Sequence, residues 1–325
     1  MTAAPNSAAN PAPNSAADPE ADPAADPIDH AVAVLRGGGL VGMPTETVYG
    51  LAADASNEAA VRRIFAAKRR PVDHPLIVHL ASADQLDEWA GSVPKAAAIL
   101  AETCWPGPLT LLVPKADHVL SVVTGGRDTV GIRVPAHPMA GELLRRFGGG
   151  LAAPSANRFG QVSPTTADHV RADLGADVDF VLDGGPSPIG VESTIVDCTV
   201  SPPQILRPGG IDNETIEALL GDLGGASGPS RASGMLASHY SPGCTVEVAE
   251  SLAEATERAA ALQVTGVRVD VLDPTVDLVE AARLLYVWLR AADERGLHTL
   301  IAVLPAPTGL GHAIRDRLLK AAGRG

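Results

Sequence analysis

The stretch L-V-G-M-P-T-E-T-V-Y-G-L, residues 40–51, decides the fold class. It begins with an apolar run, residues 40–43, which predicts a buried strand. The strand leads directly into two threonines and a glutamate. Similar short apolar runs recur along the chain and alternate with segments of helical periodicity, such as residues 57–67. This alternation is typical of an α/β domain, in which ligands bind beyond the carboxyl ends of the strands.

The other strands predicted for this domain are short apolar runs bounded by turn residues. They cover residues 76–80, 109–114, 130–134, 151–153, 180–183, 193–197 and 204–206. A helix is predicted over residues 28–36. Another is expected to begin at Ser163, with its hydroxyl as the N-cap and Pro164 at the first helical position. The segments together predict an α/β domain with a mixed sheet over residues 28–222.

Composition divides the rest of the chain into three parts. Residues 1–27 contain mostly Ala, Pro, Asn and Asp, which predicts a disordered low-complexity tail. Residues 223–244 are rich in Gly, Ser and Pro and predict a linker. Residues 245–325 alternate strand and helix, with strands at 245–248, 267–272 and 299–304. That order predicts a small parallel, Rossmann-like α/β domain.

The charge of the chain restricts its partners. Its 325 residues carry a formal net charge of −13, which argues against a broad electrostatic surface for nucleic acid. A protein this acidic must cluster its cations to bind an anionic substrate. The N-terminal sequence lacks the pattern of a signal peptide, and no apolar run reaches the ~18–20 residues that cross a bilayer. We therefore expect a cytoplasmic protein without membrane partners.

Several cations stand next to predicted strands. Lys68, Arg69 and Arg70 end a helix just before a strand; they either stabilise the helix end or bind an anion. Arg133 and Arg207 interrupt or end buried strands, so each needs an anionic partner. That partner is either an internal carboxylate or a substrate carboxylate or phosphate. The sequence lacks the G-x-x-x-x-G-K-[ST] phosphate loop, so any nucleotide must be bound in another way.

Taken together, these segments resemble the YrdC-like threonylcarbamoyl-adenylate synthases in their long, two-domain form. The matching pieces in the first domain are P-T-E-T-V-Y-G-L at 44–51, K-R-R-P-V-D-H-P-L-I-V-H at 68–79, W-P-G-P-L-T at 105–110, D-T-V-G-I-R-V-P at 128–135, A-P-S-A-N at 153–157, G-V-E-S-T-I at 190–195 and L-R-P-G at 206–209. G-M-L-A-S-H-Y-S-P at 234–242 and G-L-G-H-A-I-R-D-R-L at 309–318 resemble the two-domain branch. Each segment alone is weak evidence for the family, but the presence of all of them in this order is highly specific.

The resemblance implies a YrdC-like open twisted mixed sheet and a reaction. Threonine, bicarbonate and ATP, the last with Mg²⁺, are expected to give threonylcarbamoyl-AMP and pyrophosphate. The product is expected to pass to tRNA threonylcarbamoyl-transferase proteins, while direct tRNA binding is left open. By resemblance, L-threonine is held by Thr45, His79, Arg133 and Ser193. The nucleotide is surrounded by Lys68, Arg70, His74, Thr129, Ser155, Asn157, Ser163, Arg207 and Tyr240, with Lys68 and Arg70 as the catalytic cations.

Two features depart from the family pattern. The second domain is short for this branch, and His74 stands where some relatives have Asn. Tyr240 lies in the linker. It is interpreted either as part of a lid over the nucleotide or as a residue that packs the two domains together. The competing functions are a non-catalytic double-stranded RNA-binding module, which the acidic charge disfavours, and a carbamoyltransferase. The second alternative requires zinc-finger cysteines and an acylphosphatase-like segment that the sequence lacks.

Overall fold

A computed structural model of the chain describes residues 26–225 and 240–323. The strands of the first region are β1 Val41–Met43, β2 Gly50–Asp54, β3 Ile77–His79, β4 Leu109–Pro114, β5 Thr129–Arg133, β6 Leu151–Ala152, β7 Phe180–Val181, β8 Thr194–Asp197 and β9 Gln204–Arg207. They form one nine-stranded sheet in the order β7-β1-β2-β6-β3-β5-β4-β8-β9. Parallel and antiparallel pairs both occur, for example β3 with β5 and β4 with β5. The predicted mixed sheet is confirmed.

Helices cover both faces of this sheet. They are α1 Pro27–Arg36, α2 Glu58–Lys68, α3 Leu86–Trp89, α4 Lys95–Cys104, α5 Ser121–Thr124, α6 Pro138–Phe147, α7 Ala167–Leu174 and α8 Asn213–Leu220. Along β2, Leu51 and Ala53 belong to one apolar core and Ala52 to another. Successive side chains of a strand point to opposite faces, so the two cores lie on opposite sides of the sheet. Helices α2 and α4 pack into the first core, and α1 and α6 into the second.

The C-terminal region forms a second, smaller sheet. Strands β10 Thr245–Ala249, β11 Val269–Leu272 and β12 Thr299–Val303 are parallel, in the order β10-β12-β11. Helices α9 Leu252–Val264, α10 Leu278–Glu294 and α11 Gly311–Ala321 complete the predicted alternation. The core beneath α10 and α11 also contains Val48, Val162 and Val191 of the first domain. The two domains therefore share one apolar core.

Three local predictions differ from the structure. The helix expected at Ser163 begins at Ala167 instead, because the Thr166 hydroxyl accepts the capping hydrogen bond from the amide of His169 at 3.2 Å. The Ser163 hydroxyl is engaged elsewhere, as described below. Helix α1 begins at Pro27, inside the predicted tail, because the Asp26 carboxylate caps it. Strand β2 was not predicted as a separate strand.

Parts of the predicted tail and linker, residues 1–25 and 226–239, lie outside the described residues. Within the described ranges, no helix combines the length and the apolar character needed to cross a membrane.

Candidate active site

A pocket opens where several strands of the large sheet end. It is lined by Thr45, Thr47, Val48, Gly50, Arg70, Ile77, His79, Arg133, Ala153, Pro154, Ser155, Glu192, Ser193, Arg207 and Tyr240. Eight of these residues were predicted from the sequence: Thr45, Arg70, His79, Arg133, Ser155, Ser193, Arg207 and Tyr240. The fold thus brings together side chains that are up to 195 positions apart in sequence, from Thr45 to Tyr240.

His79 and Arg133 are neighbours because parallel strands β3 and β5 pair them in register. Both side chains are buried beside the pocket. Burial, together with the positive charge of Arg133, lowers the pKa of His79 to about 3. His79 is therefore a neutral imidazole at physiological pH, and its Nδ1 has no hydrogen-bond partner among the described residues. A neutral ring nitrogen in this position can hydrogen-bond a substrate without adding charge.

Arg133 is fixed by protein acceptors. Its guanidinium lies 2.7 Å from the Glu46 carboxylate, and Nη1 donates to Thr47 Oγ1 at 2.9 Å. Nε donates to the Gly107 carbonyl at 3.2 Å. The internal carboxylate that the sequence left open as a partner is thus Glu46. Thr45 Oγ1 lies 2.9 Å from Thr47 Oγ1, so the loop after β1 and Arg133 form one hydrogen-bonded group.

Arg207 and Ser193 form a second group. Arg207 donates to the Ser193 carbonyl from Nε at 3.1 Å and from Nη2 at 2.8 Å. Nη2 also lies 3.1 Å from Ser193 Oγ, which is 2.7 Å from Thr110 Oγ1. Arg207 is buried and its planar guanidinium is held by several bonds, so it is oriented before any substrate arrives.

Arg70 is the third cation of the pocket. Nη2 donates to the Pro75 carbonyl at 3.0 Å, and the guanidinium lies 5.6 Å from the centroid of the Phe159 ring. Burial lowers the pKa of Arg70 to about 10, so the side chain stays charged at neutral pH. Three preorganised arginines around one pocket favour an anionic ligand.

Lys68 lies behind the pocket wall and is not among the lining residues of the described chain. Its Nζ donates to the carbonyls of Ser155 and Asn157, each at 2.5 Å. The side chain is only 1% exposed, and burial, with the nearby charge of Arg70, lowers the pKa of Lys68 well below its usual range. Lys68 thus holds the turn that presents Ser155 to the pocket.

The other predicted nucleotide residues also lie outside the lining. Asn157 uses Nδ2 to donate to the carbonyls of Arg158 and Gln161, within the same turn. His74 packs edge-on against Phe159, which carries Arg70 on its ring. Thr129 begins β5, at the opposite end of that strand from Arg133. None of these three residues is among those that line the pocket in the described part of the chain.

Glu192 is a pocket residue that the sequence analysis did not select, although it stands beside Ser193 in a quoted segment. Its carboxylate accepts hydrogen bonds from Ser163 Oγ at 2.6 Å and from Arg317 Nε at 2.8 Å. Tyr286 Oη lies 2.9 and 2.7 Å from its two oxygens. Burial alone would raise the pKa of Glu192, but the charges of Arg317 and Arg207 and these hydrogen bonds lower it to about 2. Glu192 is therefore ionised.

Tyr240 closes the side of the pocket that faces the C-terminal domain. It is 1% exposed, and its ring stacks on that of Tyr286 with the centroids 5.7 Å apart. The Arg317 guanidinium lies 5.1 Å from the Tyr240 ring centroid. Tyr240 thus lines the pocket and packs against the second domain at once. Residues 226–239 of the segment interpreted as a lid lie outside the described residues.

Comparison with known protein families finds two matches. The family model Sua5_yciO_yrdC, described as "Telomere recombination", matches residues 33–209. A second model, described as "Threonylcarbamoyl-AMP synthase, C-terminal domain", matches residues 211–323. The two models together span nearly all of the residues that the structure describes.

Individual relatives cover almost the whole chain. A threonylcarbamoyl-AMP synthase of Pyrococcus abyssi is 42% identical over 318 residues, which is 90% of this chain and 93% of the relative. One of Bacillus subtilis is 42% identical over 321 residues, or 91% of this chain and 93% of the relative. The crystal structure of Pyrococcus abyssi Sua5 complexed with L-threonine superposes with a TM-score of 0.88 at 41% identity, covering 91% of this chain and 94% of that one. The chain therefore belongs to the threonylcarbamoyl-AMP synthase family, in its two-domain form.

Proposed function

We propose that this chain is a cytoplasmic nucleotidyltransferase that condenses L-threonine, bicarbonate and ATP to threonylcarbamoyl-AMP and pyrophosphate. The observation that carries the proposal is the convergence of Arg70, Arg133 and Arg207, each held by protein acceptors, on one pocket. The relatives named as threonylcarbamoyl-AMP synthases and the L-threonine complex of the Pyrococcus abyssi protein support the same reaction. The product would pass to tRNA threonylcarbamoyl-transferase proteins.

The proposed chemistry balances in two steps. The threonine amine attacks the carbon of bicarbonate, and loss of water leaves a carbamate. A carbamate oxygen then attacks the α-phosphorus of ATP; that P–O bond forms as the bond to the bridging α–β oxygen breaks, and pyrophosphate leaves. Every reactant carries negative charge near the reacting atoms. The negative charges repel one another, and oriented cations reduce this repulsion without having to reorganise during the reaction. Positioning and charge stabilisation are therefore sufficient to explain catalysis.

The positions of the side chains suggest a division of roles. Thr45, His79, Arg133 and Ser193 lie together and suit L-threonine, with Arg133 opposite its carboxylate and the neutral His79 as a hydrogen-bonding partner. Arg70, Ser155, Arg207 and Tyr240 occupy the remaining walls and suit the nucleotide. Lys68 and Asn157 act behind the wall, by holding the turn at Ser155. Ser163 acts through its hydrogen bond to Glu192.

Mg²⁺ would enter as part of the MgATP substrate. The pocket carboxylate Glu192 and the neighbouring carboxylate Glu46 already have arginine partners. Neither is therefore available as a strong ligand without breaking an ion pair. This arrangement fits a cation carried by the ATP phosphates, with Arg70 and Arg207 beside them.

The proposal is tested by measuring pyrophosphate release from MgATP with L-threonine and bicarbonate omitted in turn. We expect release only when all three substrates are present, with D-threonine and degassed, carbonate-free buffer as matched controls. Release that needs neither threonine nor bicarbonate would contradict the proposal. Binding of double-stranded RNA without any threonine-dependent turnover would favour the RNA-binding alternative instead.

A further inference from the structure

Glu192 lies where the two domains meet, and most of the groups that bind its carboxylate come from the C-terminal domain. Tyr286 on α10 contacts both carboxylate oxygens, at 2.9 and 2.7 Å. Arg317 on α11 donates from Nε at 2.8 Å and is itself 0% exposed. Neither Tyr286 nor Arg317 lines the pocket among the described residues, so their effect on it passes through Glu192.

Glu192 is joined to the parts of the pocket that hold its cations. It directly precedes Ser193, whose carbonyl and hydroxyl accept hydrogen bonds from Arg207. The Glu192 carbonyl accepts a hydrogen bond from the amide of Gly210, three residues after Arg207, at 3.0 Å. A displacement of Glu192 would therefore displace both Ser193 and Arg207.

The same two side chains hold Tyr240. The Tyr286 ring stacks on that of Tyr240, and the Arg317 guanidinium lies 5.1 Å from the Tyr240 ring centroid. Arg317 is fixed in turn by Asp316, which accepts from its Nη1 at 2.5 Å and from Lys320 Nζ at 2.9 Å. A single buried group of the C-terminal domain thus supports two separate walls of the pocket.

We infer that Tyr286 and Arg317 are positioning residues, through which the C-terminal domain completes the active site by fixing Glu192 and Tyr240. The inference rests on the proposed function, because the residues it fixes are those assigned to the substrates. It gives the second domain a defined role in the reaction. Neither residue needs to touch a substrate for this role.

The charge of Glu192 provides a readout that loss of packing alone would not change. The groups that face its carboxylate are Arg317, Arg207, Tyr240, Tyr286 and Ser163. Burial opposes ionisation, so removing the charge of Arg317 should raise the pKa of Glu192 well above about 2. A protonated Glu192 no longer attracts Arg207 or Arg317, and the site loosens as pH falls.

The experiment compares kcat/KM for L-threonine between about pH 6 and pH 8 in Tyr286→Phe, Arg317→Met and Arg317→Lys. Results are expressed as the ratio of variant to wild type at each pH, which cancels the titration of bicarbonate. We expect a loss of ~10-fold or more in Tyr286→Phe and Arg317→Met, since hydrogen bonds to a buried charge are removed. In Arg317→Met, which removes the charge, the loss should grow toward low pH. It should be smaller in Arg317→Lys, which retains the charge.

Arg315→Met is the matched control, because Arg315 lies on the same helix and contacts Glu250 and the Pro305 carbonyl instead of Glu192. It should keep kcat/KM within about twofold. Wild-type activity in folded Tyr286→Phe and Arg317→Met would overturn the inference. A loss in Arg317→Met that is equal at every pH, or that Arg315→Met shares, would also overturn it, since either pattern reports general destabilisation.

A double-mutant cycle measured by thermal unfolding tests the inference without relying on activity. It applies if Arg317→Met folds poorly or if the proposed reaction is not observed. The cycle combines Arg317→Met with Glu192→Gln, which removes the charge that Arg317 compensates. We expect Glu192→Gln to restore much of the melting temperature that Arg317→Met loses. Additive losses would overturn the inference. Absence of threonine-dependent pyrophosphate release by the wild type would contradict the proposed function, while leaving this cycle interpretable.

Discussion

The cations of this site are held by the protein before they meet a substrate. Lys68 shows the point most clearly, because the sequence placed it among the catalytic cations and the structure surrounds its ammonium with carbonyls. From the sequence, a K-R-R run before a strand could indicate an anion site, but the direction of each side chain depended on the tertiary fold. Arg70 faces the pocket, whereas Lys68 supports its wall.

Lys68→Met should therefore reduce both stability and activity. The substitution keeps most of the volume but leaves the Ser155 and Asn157 carbonyls without their donor. We expect a loss of about 2 kcal/mol in the free energy of unfolding, measured with urea, because unsatisfied buried groups cost ~1–3 kcal/mol each and some will regain water. Turnover should fall ~30-fold or more.

Lys95→Met, at the exposed start of α4, is the control and should change stability by less than ~0.5 kcal/mol. If Lys68→Met abolishes turnover while leaving the free energy of unfolding unchanged, Lys68 acts directly on the substrate and the supporting role is wrong.

At the scale of elements, the strands with continuous apolar runs were predictable and those with small residues were not. Strand β4, Leu109–Pro114, has the predicted bounds because its continuous run of mostly apolar residues ends at a proline. Strand β2, G-L-A-A-D, carries little intrinsic strand preference and owes its conformation to pairing between β1 and β6. Its position between two partners is a property of the sheet, which no local pattern reveals.

The same distinction explains which site residues were found. His79, Arg133 and Arg207 were recognisable as polar residues in or after buried strands. Tyr286 and Arg317 lie on amphipathic helices, where a tyrosine or an arginine is ordinary. Their contact with Glu192 spans 94 and 125 positions of sequence and depends on how the domains pack.

The loop before Glu192 offers a direct test of that packing. Gly190 has φ of +81°, and a Cβ there would lie 2.5 Å from the backbone of Ala282 and Arg283 on α10. Gly190→Ala should therefore push α10 away from the pocket, at a cost of about 3 kcal/mol or more in the free energy of unfolding. Activity should fall with it, because Tyr286 lies on the displaced helix.

Gly185→Ala is the matched control, because Gly185 has φ of +78° but open space where an added Cβ would lie. It should cost only the backbone strain, ~1–2 kcal/mol. Equal losses in the two variants, measured by urea unfolding, would show that α10 does not press on this loop as described.

At the scale of the whole molecule, the buried charge at the domain interface should make stability depend on pH. The pKa of Glu192 is depressed from 4.5 to about 2, so the folded state favours the ionised form. Its contribution, roughly 3 kcal/mol, is present above about pH 4.5 and is lost as pH falls toward 2. Glu192→Gln should therefore be less stable than wild type near neutral pH and nearly equal to it in acid.

Urea unfolding across that pH range checks this prediction. Glu58→Gln, in the exposed pair of Glu58 with Arg62, is the control and should differ from wild type by less than ~0.5 kcal/mol. A Glu192→Gln deficit that is constant across the range would mean that the carboxylate titrates alike in the folded and unfolded chains.

The central claim, that one pocket joins L-threonine, bicarbonate and ATP, is tested most directly by the composition of the product. Incubation with ¹³C-bicarbonate, ¹⁵N-L-threonine and MgATP should yield one nucleotide whose mass includes both labels and the AMP moiety, together with an equal amount of pyrophosphate. Arg133→Met should suppress this product, because Arg133 lines the pocket and is proposed to bind the threonine carboxylate. A product that contains threonine and AMP without the carbon label, or free AMP alone, would contradict the account.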